Sequence, residues 1–237
     1  MVSPSSLTIG PRILVALDFD TLVQCERFLD HLDPSLCRVK IGKELFTASG
    51  PAAVNAAQSR GFDVFLDLKF HDIPATVAKA VKAAADLGVW MVNVHASGGP
   101  RMLAAAAEAL ANHSQKPYLI GVTVLTSMAQ DELNQIGINT STGDQVLRLA
   151  RLVKDAGLDG VVCSALEAES MKAQFGKDFV LVTPGIRPEG SPADDQRRIV
   201  TPKQAMRWGS DYLVIGRPIT QAADPASVCR DIAQSLA

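Results

Sequence analysis

The most distinctive chemical grouping in the sequence is the segment DLKFHD at residues 67–72. Residues two apart on a strand share a face, so Asp67 and Lys69 are expected to point the same way. A lysine is costly to bury alone, and neighbouring carboxylates keep it in its charged form. The segment therefore predicts an ammonium group held among carboxylates, which suits the donation of a proton to a carbon centre.

Structural interpretations of these residues stay open beside the catalytic one. Asp67 and Lys69 could form a purely structural salt bridge, and Asp72 could be the N-cap of a helix whose first turn contains Pro74. Lys40 is a second cation, and it could be a core lysine that extends toward solvent. Because it follows a predicted strand and precedes a glycine, we favour a functional position for it, with Asp18 as a further carboxylate partner.

The elements that must position these residues form a regular alternation. Near-continuous apolar runs, typical of strands buried on both faces in a parallel sheet, occur at residues 13–17, 37–41, 64–68, 91–94, 118–124, 160–163, 179–182 and 212–215. Helical patterns follow several of them, at residues 75–87, 102–110, 146–156 and 225–236, and helix C-caps are expected at Gly61, Gly88 and Gly157. Eight alternations predict an α/β fold, a single (β/α)8 TIM barrel domain over residues 1–237, with residues 1–11 as an N-terminal extension.

Barrels of this kind carry their chemistry at the C-terminal ends of the strands. In this sequence those ends hold a ring of polar and charged residues: Asp18, Lys40, Asp67, Lys69, Asp72, Asn93, His95, Thr123, Thr126, Ser127, Arg187 and Arg217. The seventh and eighth strands run into TPGIRP (residues 183–188) and IGRP (residues 215–218). Loops at these two places commonly bind phosphate, and guanidinium groups match its geometry. We therefore expect a phosphomonoester site there.

Composition excludes several other classes of function. The 237 residues contain 23 Lys and Arg against 25 Asp and Glu, and only 5% aromatic residues, so neither a basic field nor stacking platforms are available for nucleic acid. The sequence contains no run of about 20 apolar residues, the length that a membrane span needs, and its first 11 residues lack the features of a signal peptide. The four cysteines and four histidines show no metal-ligand spacing. We expect a cytoplasmic protein with reduced thiols and no metal.

Six segments together resemble the orotidine 5'-phosphate decarboxylase family. They are LD (17–18), VKIG (39–42), DLKFHDIP (67–74), VLTS (124–127), TPGIRP (183–188) and IGRPI (215–219). They occur in order along nearly the whole chain, with no departure at the positions that the family uses. DxKxxD alone is shared with sibling barrel enzymes, whereas DLKFHDIP and TPGIRP together are far more specific.

The resemblance implies decarboxylation of orotidine 5'-phosphate to UMP, the last step of de novo pyrimidine synthesis, without a cofactor. By position, Lys69 would protonate C6 of the substrate as carbon dioxide leaves, and Asp67 would lie beside the departing carboxylate. Asp72 and Thr76 would enter the site from the other subunit of a homodimer with shared active sites.

The resemblance also implies which residues bind the nucleotide. Asp18 and Lys40 would contact the ribose hydroxyls, and Lys40 would also order the catalytic charges. Thr126 and Ser127 would border the base. The remaining substrate-binding residues, which belong to the loops after the seventh and eighth strands, are Pro184, Arg187, Gln196, Gly216 and Arg217. A loop at residues 187–196 would close over the phosphate.

Two rival functions remain at this point. The nearer one is a metal-dependent sugar-phosphate decarboxylase or aldolase of the 3-keto-gulonate-6-phosphate decarboxylase or hexulose-6-phosphate synthase type, which shares DxKxxD. The other is a barrel that binds a phosphate ligand without catalysis. TPGIRP and the length of the loop after it favour the nucleotide enzyme.

Overall fold

Eight parallel strands pair in chain order and close on themselves, so that β1 is hydrogen-bonded to both β2 and β8. The computed structural model describes residues 10–188 and 200–236. The strands are β1 (Ile13–Ala16), β2 (Cys37–Gly42), β3 (Val64–Phe70), β4 (Met91–His95), β5 (Tyr118–Val122), β6 (Gly160–Val162), β7 (Val180–Thr183) and β8 (Tyr212–Ile215). Each begins and ends within two residues of its predicted run. The predicted (β/α)8 barrel is confirmed.

The helices surround this barrel. They are α1 (Leu22–Leu29), α2 (Lys43–Ser49), α3 (Pro51–Gln58), α4 (Pro74–Asp86), α5 (Gly99–Ala109), α6 (Gln130–Gln135), α7 (Thr142–Asp155), α8 (Ala168–Phe175), α9 (Pro202–Arg207), α10 (Arg217–Thr220) and α11 (Pro225–Ser235). The four predicted helices are α4, α5, α7 and α11. Gly88 and Gly157 directly follow the caps of α4 and α7 with φ of 73° and 78°, a left-handed conformation that glycine adopts at little cost.

Hydrophobic packing occurs in two layers. The larger layer lies between the strands and the helices, where Val77, Val81 and Ala84 of α4 are buried. The second fills the interior of the barrel with alternate residues of the strands: Leu14, Phe65, Met91, Ile120, Val182 and Tyr212. This inner layer forms a solid floor below the C-terminal mouth.

An arginine occupies the opposite, N-terminal end of the barrel interior. Arg38 and Lys40 are two apart on β2 and therefore share its inward face, with Arg38 nearer the start of the strand. The Arg38 guanidinium lies 4.2 Å from the centre of the Trp90 ring, and its Nε donates to Asp63 at 2.9 Å. Side-chain stacking and pairing of this kind keep the buried cation satisfied.

Within the two stretches that the structure describes, no helix is long and apolar enough to cross a membrane.

Candidate active site

A buried carboxylate joins two lysines at the C-terminal mouth of the barrel. Asp67 lies on β3 beside β2, and its side chain reaches both ammonium groups: Oδ1 is 2.7 Å from Nζ of Lys69, and Oδ2 is 3.3 Å from Nζ of Lys40. Asp67 and Lys40 are each 8% exposed. Three formal charges are thus held in contact within the barrel wall, with one net positive charge.

Asp18 extends this array toward solvent. It follows β1, its Oδ1 is 3.7 Å from Nζ of Lys40, and its side chain is 61% exposed. Gly42 and Gly216 leave the space for it. A β-carbon on Gly42 would lie 3.3 Å from Nζ of Lys40, and one on Gly216 would lie 3.9 Å from Oδ2 of Asp18. Lys40 therefore lies between an inner carboxylate and an outer one and does not extend into solvent, contrary to the alternative interpretation of it as a snorkelling lysine.

Burial and charge act in opposite directions on Asp67. Burial by itself raises the pKa of this carboxyl group, because it penalises the ionised form. The ammonium groups of Lys40 and Lys69, with hydrogen bonds from Lys69 and Asn93, outweigh that effect and hold the pKa of Asp67 below its usual value. Asp67 is therefore a carboxylate at neutral pH.

The backbone at Lys69 departs from regular strand geometry. The pairing of β3 with β4 shifts its register between Leu66 and Phe70. Within residues 10–188 and 200–236, Lys69 is the one non-glycine residue with φ in the left-handed region, at 52°. Such a conformation is uncommon for a residue with a long side chain and is characteristic of functional sites.

A cavity of about 220 Å³ opens beside the lysines. Its polar lining includes Lys40, Asp67, Lys69, Thr126 and Ser127, and Pro184 also lines it. Its other walls are apolar and come from Phe65, Val122, Val124, Leu125, Val162 and Val214. The sequence analysis missed these apolar residues as site residues, although several belong to the inward-facing positions of predicted strands.

The described residues that we expect to bind phosphate lie in the loops after β7 and β8. Gly216 precedes α10, and Arg217 is the first residue of that short helix. Arg187 is buried next to a bridge between Ile186 and Val200, and its Nη1 donates to the carbonyl oxygen of Ile186 at 3.1 Å. Gln196, with most of the predicted 187–196 loop, lies outside the described residues, as do residues 1–9 of the N-terminal extension.

Asp72 and Thr76 differ from the other predicted site residues, because both are exposed and neither lines the cavity. The interpretation of Asp72 as the N-cap of α4 is wrong. The cap residue is Ile73, with φ of −57° and ψ of 150°, and Asp72 Oδ1 accepts a hydrogen bond from the Ile73 amide at 2.6 Å. Asp72 is thus fixed at the surface, one residue before the helix entry.

Two histidines flank the lysine side of the mouth. The rings of His71 and His95 lie 5.5 Å apart, centre to centre. Burial, followed by the charges of His71, Lys43 and Lys69, lowers the pKa of His95 to about 4. His95 is therefore neutral at neutral pH and adds no charge to the array.

Comparison with known proteins identifies the group to which this barrel belongs. The sequence model of the orotidine 5'-phosphate decarboxylase / HUMPS family matches residues 11–232. The chain belongs to this family. Relatives named orotidine 5'-phosphate decarboxylase include one from Teredinibacter turnerae, 63% identical over 96% of this chain and 98% of the relative, and one from Vibrio cholerae, 62% identical over 95% and 98%.

A solved structure of the same family has the same fold. The orotidine 5'-phosphate decarboxylase from Lactobacillus acidophilus superimposes with a TM-score of 0.84 at 41% identity, covering 96% of this chain and 99% of that one. The family resemblance seen in the sequence is confirmed. Among the residues whose positions are described, no three His, Cys, Asp or Glu side chains form a group that could hold a metal ion.

The pKa of Asp67 gives a testable dependence of stability on pH. Replacement of Asp67 by Asn leaves two lysines without their shared carboxylate, and we expect it to lower the free energy of unfolding by about 3 kcal/mol at pH 7. The loss should stay constant down to about pH 5, because Asp67 is then ionised in both the folded and the unfolded chain.

Below that range the difference should narrow. The unfolded chain takes up a proton near the ordinary carboxyl pKa of 3.8, whereas the folded chain does so only at its lower pKa. The stability that Asp67 contributes is therefore present above pH 3.8, and it is lost as the pH falls through the pKa of Asp67 in the folded chain. Urea unfolding of both proteins from pH 7 down to about pH 2.5 measures this. A difference that already shrinks between about pH 7 and 6 would mean that burial dominates and that the pKa is raised.

Proposed function

We infer that this chain decarboxylates orotidine 5'-phosphate to UMP in de novo pyrimidine synthesis, and that it does so as a single-domain barrel without a cofactor. One observation carries the inference: a buried carboxylate holds two lysine ammonium groups beside a cavity at the barrel mouth that has both polar and apolar walls. The array lies in a chain 63% identical, over nearly its whole length, to a relative named for this reaction.

The reaction needs a group that stabilises and then protonates a carbanion. When the bond between C6 and the carboxyl carbon breaks, carbon dioxide leaves and the electron pair stays on C6. Lys69 is proposed to approach C6 with its ammonium, stabilise that pair and transfer one proton to it. Lys69 then regains a proton from solvent, so that one substrate and one proton give UMP and carbon dioxide.

The lysine alone supplies too little stabilisation for such a reaction. Two unit charges about 4 Å apart interact by about 4 kcal/mol at an effective dielectric constant near 20. Enzymes lower the barriers of slow reactions by up to about 20 kcal/mol or more. Binding of the remote phosphate is the proposed further source, because its binding energy can be used to organise the site around C6.

Asp67 has two proposed roles. It fixes the Lys69 ammonium at 2.7 Å, and it is proposed to lie beside the departing carboxylate of the substrate. Because Asp67 is ionised and buried, a second carboxylate beside it is repelled, and loss of carbon dioxide relieves that repulsion. Lys40 keeps Asp67 ionised through its contact with Oδ2.

The nucleotide is proposed to bind across the mouth from β1 to β8. Asp18 and Lys40 contact the ribose hydroxyls, and Thr126 and Ser127 border the base. The phosphate and its approach are assigned to residues of the loops after β7 and β8, namely Pro184, Arg187, Gln196, Gly216 and Arg217. The lining of the cavity by Thr126, Ser127 and Pro184 supports this arrangement.

A homodimer with shared active sites is proposed to complete each site. Asp72 and Thr76 are exposed next to Ile73, a large apolar residue that is 66% exposed at the start of α4. An apolar side chain between two polar residues suits a subunit contact. Each pair of polar residues would then face the mouth of the partner subunit. A cytoplasmic location is proposed as well, supported by four buried cysteines without disulfide bonds.

Lys69→Ala provides the direct test of function. The wild-type protein should convert orotidine 5'-phosphate with a loss of its near-ultraviolet absorbance, and Lys69→Ala should lower kcat by at least about 1,000-fold, since proton donor and charge are both removed. Lys82→Ala, which removes an exposed lysine of α4 that pairs with Asp86, is the matched control and should retain wild-type kcat. A wild-type protein without turnover would refute the assignment, and an unchanged Lys69→Ala would refute the role of that lysine.

A metal requirement separates the nucleotide enzyme from its sugar-phosphate siblings. With orotidine 5'-phosphate as substrate, excess EDTA should leave the rate unchanged, because Lys40 and Lys69 already occupy the contacts of Asp67 that a cation would take. Complete loss of activity in EDTA, restored by Mg²⁺, would instead favour the metal-dependent function.

Mixing inactive homodimers tests whether sites are shared. Lys69→Ala and Asp72→Ala proteins should each be inactive, and subunit exchange should restore up to roughly a quarter of the wild-type activity, because half of the dimers are mixed and one site in each is intact. Lys69→Ala mixed with Lys40→Ala is the control, since both residues belong to one chain's site and no intact site forms. Verified exchange without recovery in the first mixture would mean that each site is built within one chain.

A further inference from the structure

We propose that Asn93 is a positioning residue that aligns the Lys69 proton donor by holding both the backbone of Lys69 and its carboxylate partner. This inference rests on the proposed function and deepens it. Asn93 lies on β4, points toward β3 and is fully buried. A buried side-chain amide needs hydrogen-bond partners for both its oxygen and its nitrogen. In Asn93 the oxygen bonds to Lys69 and the nitrogen bonds to Asp67.

The acceptor end of Asn93 fixes the backbone of Lys69. The amide N–H of Lys69 donates to Oδ1 of Asn93 at 2.8 Å. This bond lies inside the register shift between β3 and β4, where regular pairing is interrupted. The side chain of Asn93 therefore takes the position of a ladder partner and holds Lys69 in its left-handed conformation, which costs of order 1 kcal/mol and persists only where its surroundings impose it.

The donor end of Asn93 fixes the carboxylate. Nδ2 donates to Oδ1 of Asp67 at 2.7 Å, and Nζ of Lys69 donates to the same oxygen at 2.7 Å. Oδ2 remains for Lys40 at 3.3 Å. The two bonds of Asn93 leave no freedom to exchange its oxygen and nitrogen, because one end meets a donor and the other an acceptor.

These contacts form a closed loop through Lys69. Its amide N–H, the Asn93 side chain, the Asp67 carboxylate and its own ammonium are linked in sequence. A lysine side chain has four rotatable bonds, and the loop restrains it at both ends. Misplacement of a reacting group by about 1 Å can cost about 100-fold in rate, so this restraint has a direct effect on catalysis.

The same contacts explain why an amide is required at position 93. An aspartate would accept from the Lys69 amide but would place a second carboxylate against Asp67. An alanine would leave the Lys69 amide and Oδ1 of Asp67 each short of one partner. Only an asparagine supplies one acceptor and one donor at this length.

The test compares Asn93→Ala and Asn93→Asp with a matched control. Ser210→Ala also removes a buried polar side chain from the barrel region, one that accepts from Thr183 and contacts no part of the lysine array. We expect both Asn93 variants to lower kcat by about 100-fold with KM changed less than about threefold, because the nucleotide ligands stay in place. Ser210→Ala should keep kcat and KM near the wild-type values.

The pH profile of kcat distinguishes alignment from general damage. The groups around Asp67 are Lys40 on β2, Lys69 on β3, and Asn93 and His95 on β4, while Asp18 after β1 contacts Lys40. Loss of the Asn93 hydrogen bond removes one contact that lowers the pKa of Asp67, so the acid limb of kcat should move to higher pH in Asn93→Ala and further in Asn93→Asp. In Ser210→Ala the limb should not move.

Several results would overturn the inference. One is a folded Asn93→Ala with kcat within threefold of wild type, and another is a loss of kcat without any movement of the acid limb. If Asn93→Ala does not fold, Asn93→Asp, which keeps the volume and the bond to Lys69, is judged by the same two criteria. Turnover by the wild-type protein separates the proposed function from the role of Asn93. If the wild-type protein does not convert orotidine 5'-phosphate, the proposed function fails. If it does, the variants decide only the role of Asn93.

Discussion

The contact of one carboxylate with two ammonium groups governs the rest of the site. Without Asp67, Lys40 and Lys69 would be two like charges near each other in the wall of the barrel, and each would lose the partner that offsets its desolvation. Because the lysines outweigh the effect of burial on the pKa of Asp67, this carboxyl group is ionised at neutral pH. Two further polar residues contact this trio: Asp18 binds it from the solvent side, and Asn93 binds it from within the sheet.

The barrel produces this contact through strand neighbourhood. Lys40 and Asp67 belong to adjacent parallel strands, and Gly42 pairs directly with Asp67. Lys40, two residues before Gly42, faces inward on the same side of β2. A β-carbon at Gly42 would lie 3.3 Å from the Lys40 ammonium, so a larger residue there would require that ammonium to shift. At Lys69 the regular pairing of β3 with β4 is interrupted by a register shift. There the Lys69 amide donates its hydrogen bond to the side chain of Asn93.

Much of this was predictable from the sequence, and the remainder depends on interactions between strands. Apolar runs located all eight strands within two residues, and the strand-end rule brought Asp18, Lys40, Asp67 and Lys69 to one mouth. The sequence analysis placed Asn93 at the end of its strand. Its role, however, depends on a register shift between β3 and β4 that the sequence of neither strand reveals. The cap of α4 was misassigned because the backbone angles of Ile73, rather than the identity of Asp72, determine where the helix begins. The apolar walls, such as Val162 and Val214, were indistinguishable from ordinary core residues.

The residues that fill the barrel below the mouth also bear on how molecules leave the site. Arg38, stacked on Trp90, lies beneath the buried layer that contains Leu14, Phe65 and Met91, and together these described residues pack the barrel interior below the mouth. Phe65 of this layer lines the cavity, so we expect carbon dioxide formed there to leave through the mouth by which the nucleotide enters. Carbon dioxide and the nucleotide product are thus expected to leave through the same opening. A segment that covers the mouth would therefore limit the release of both.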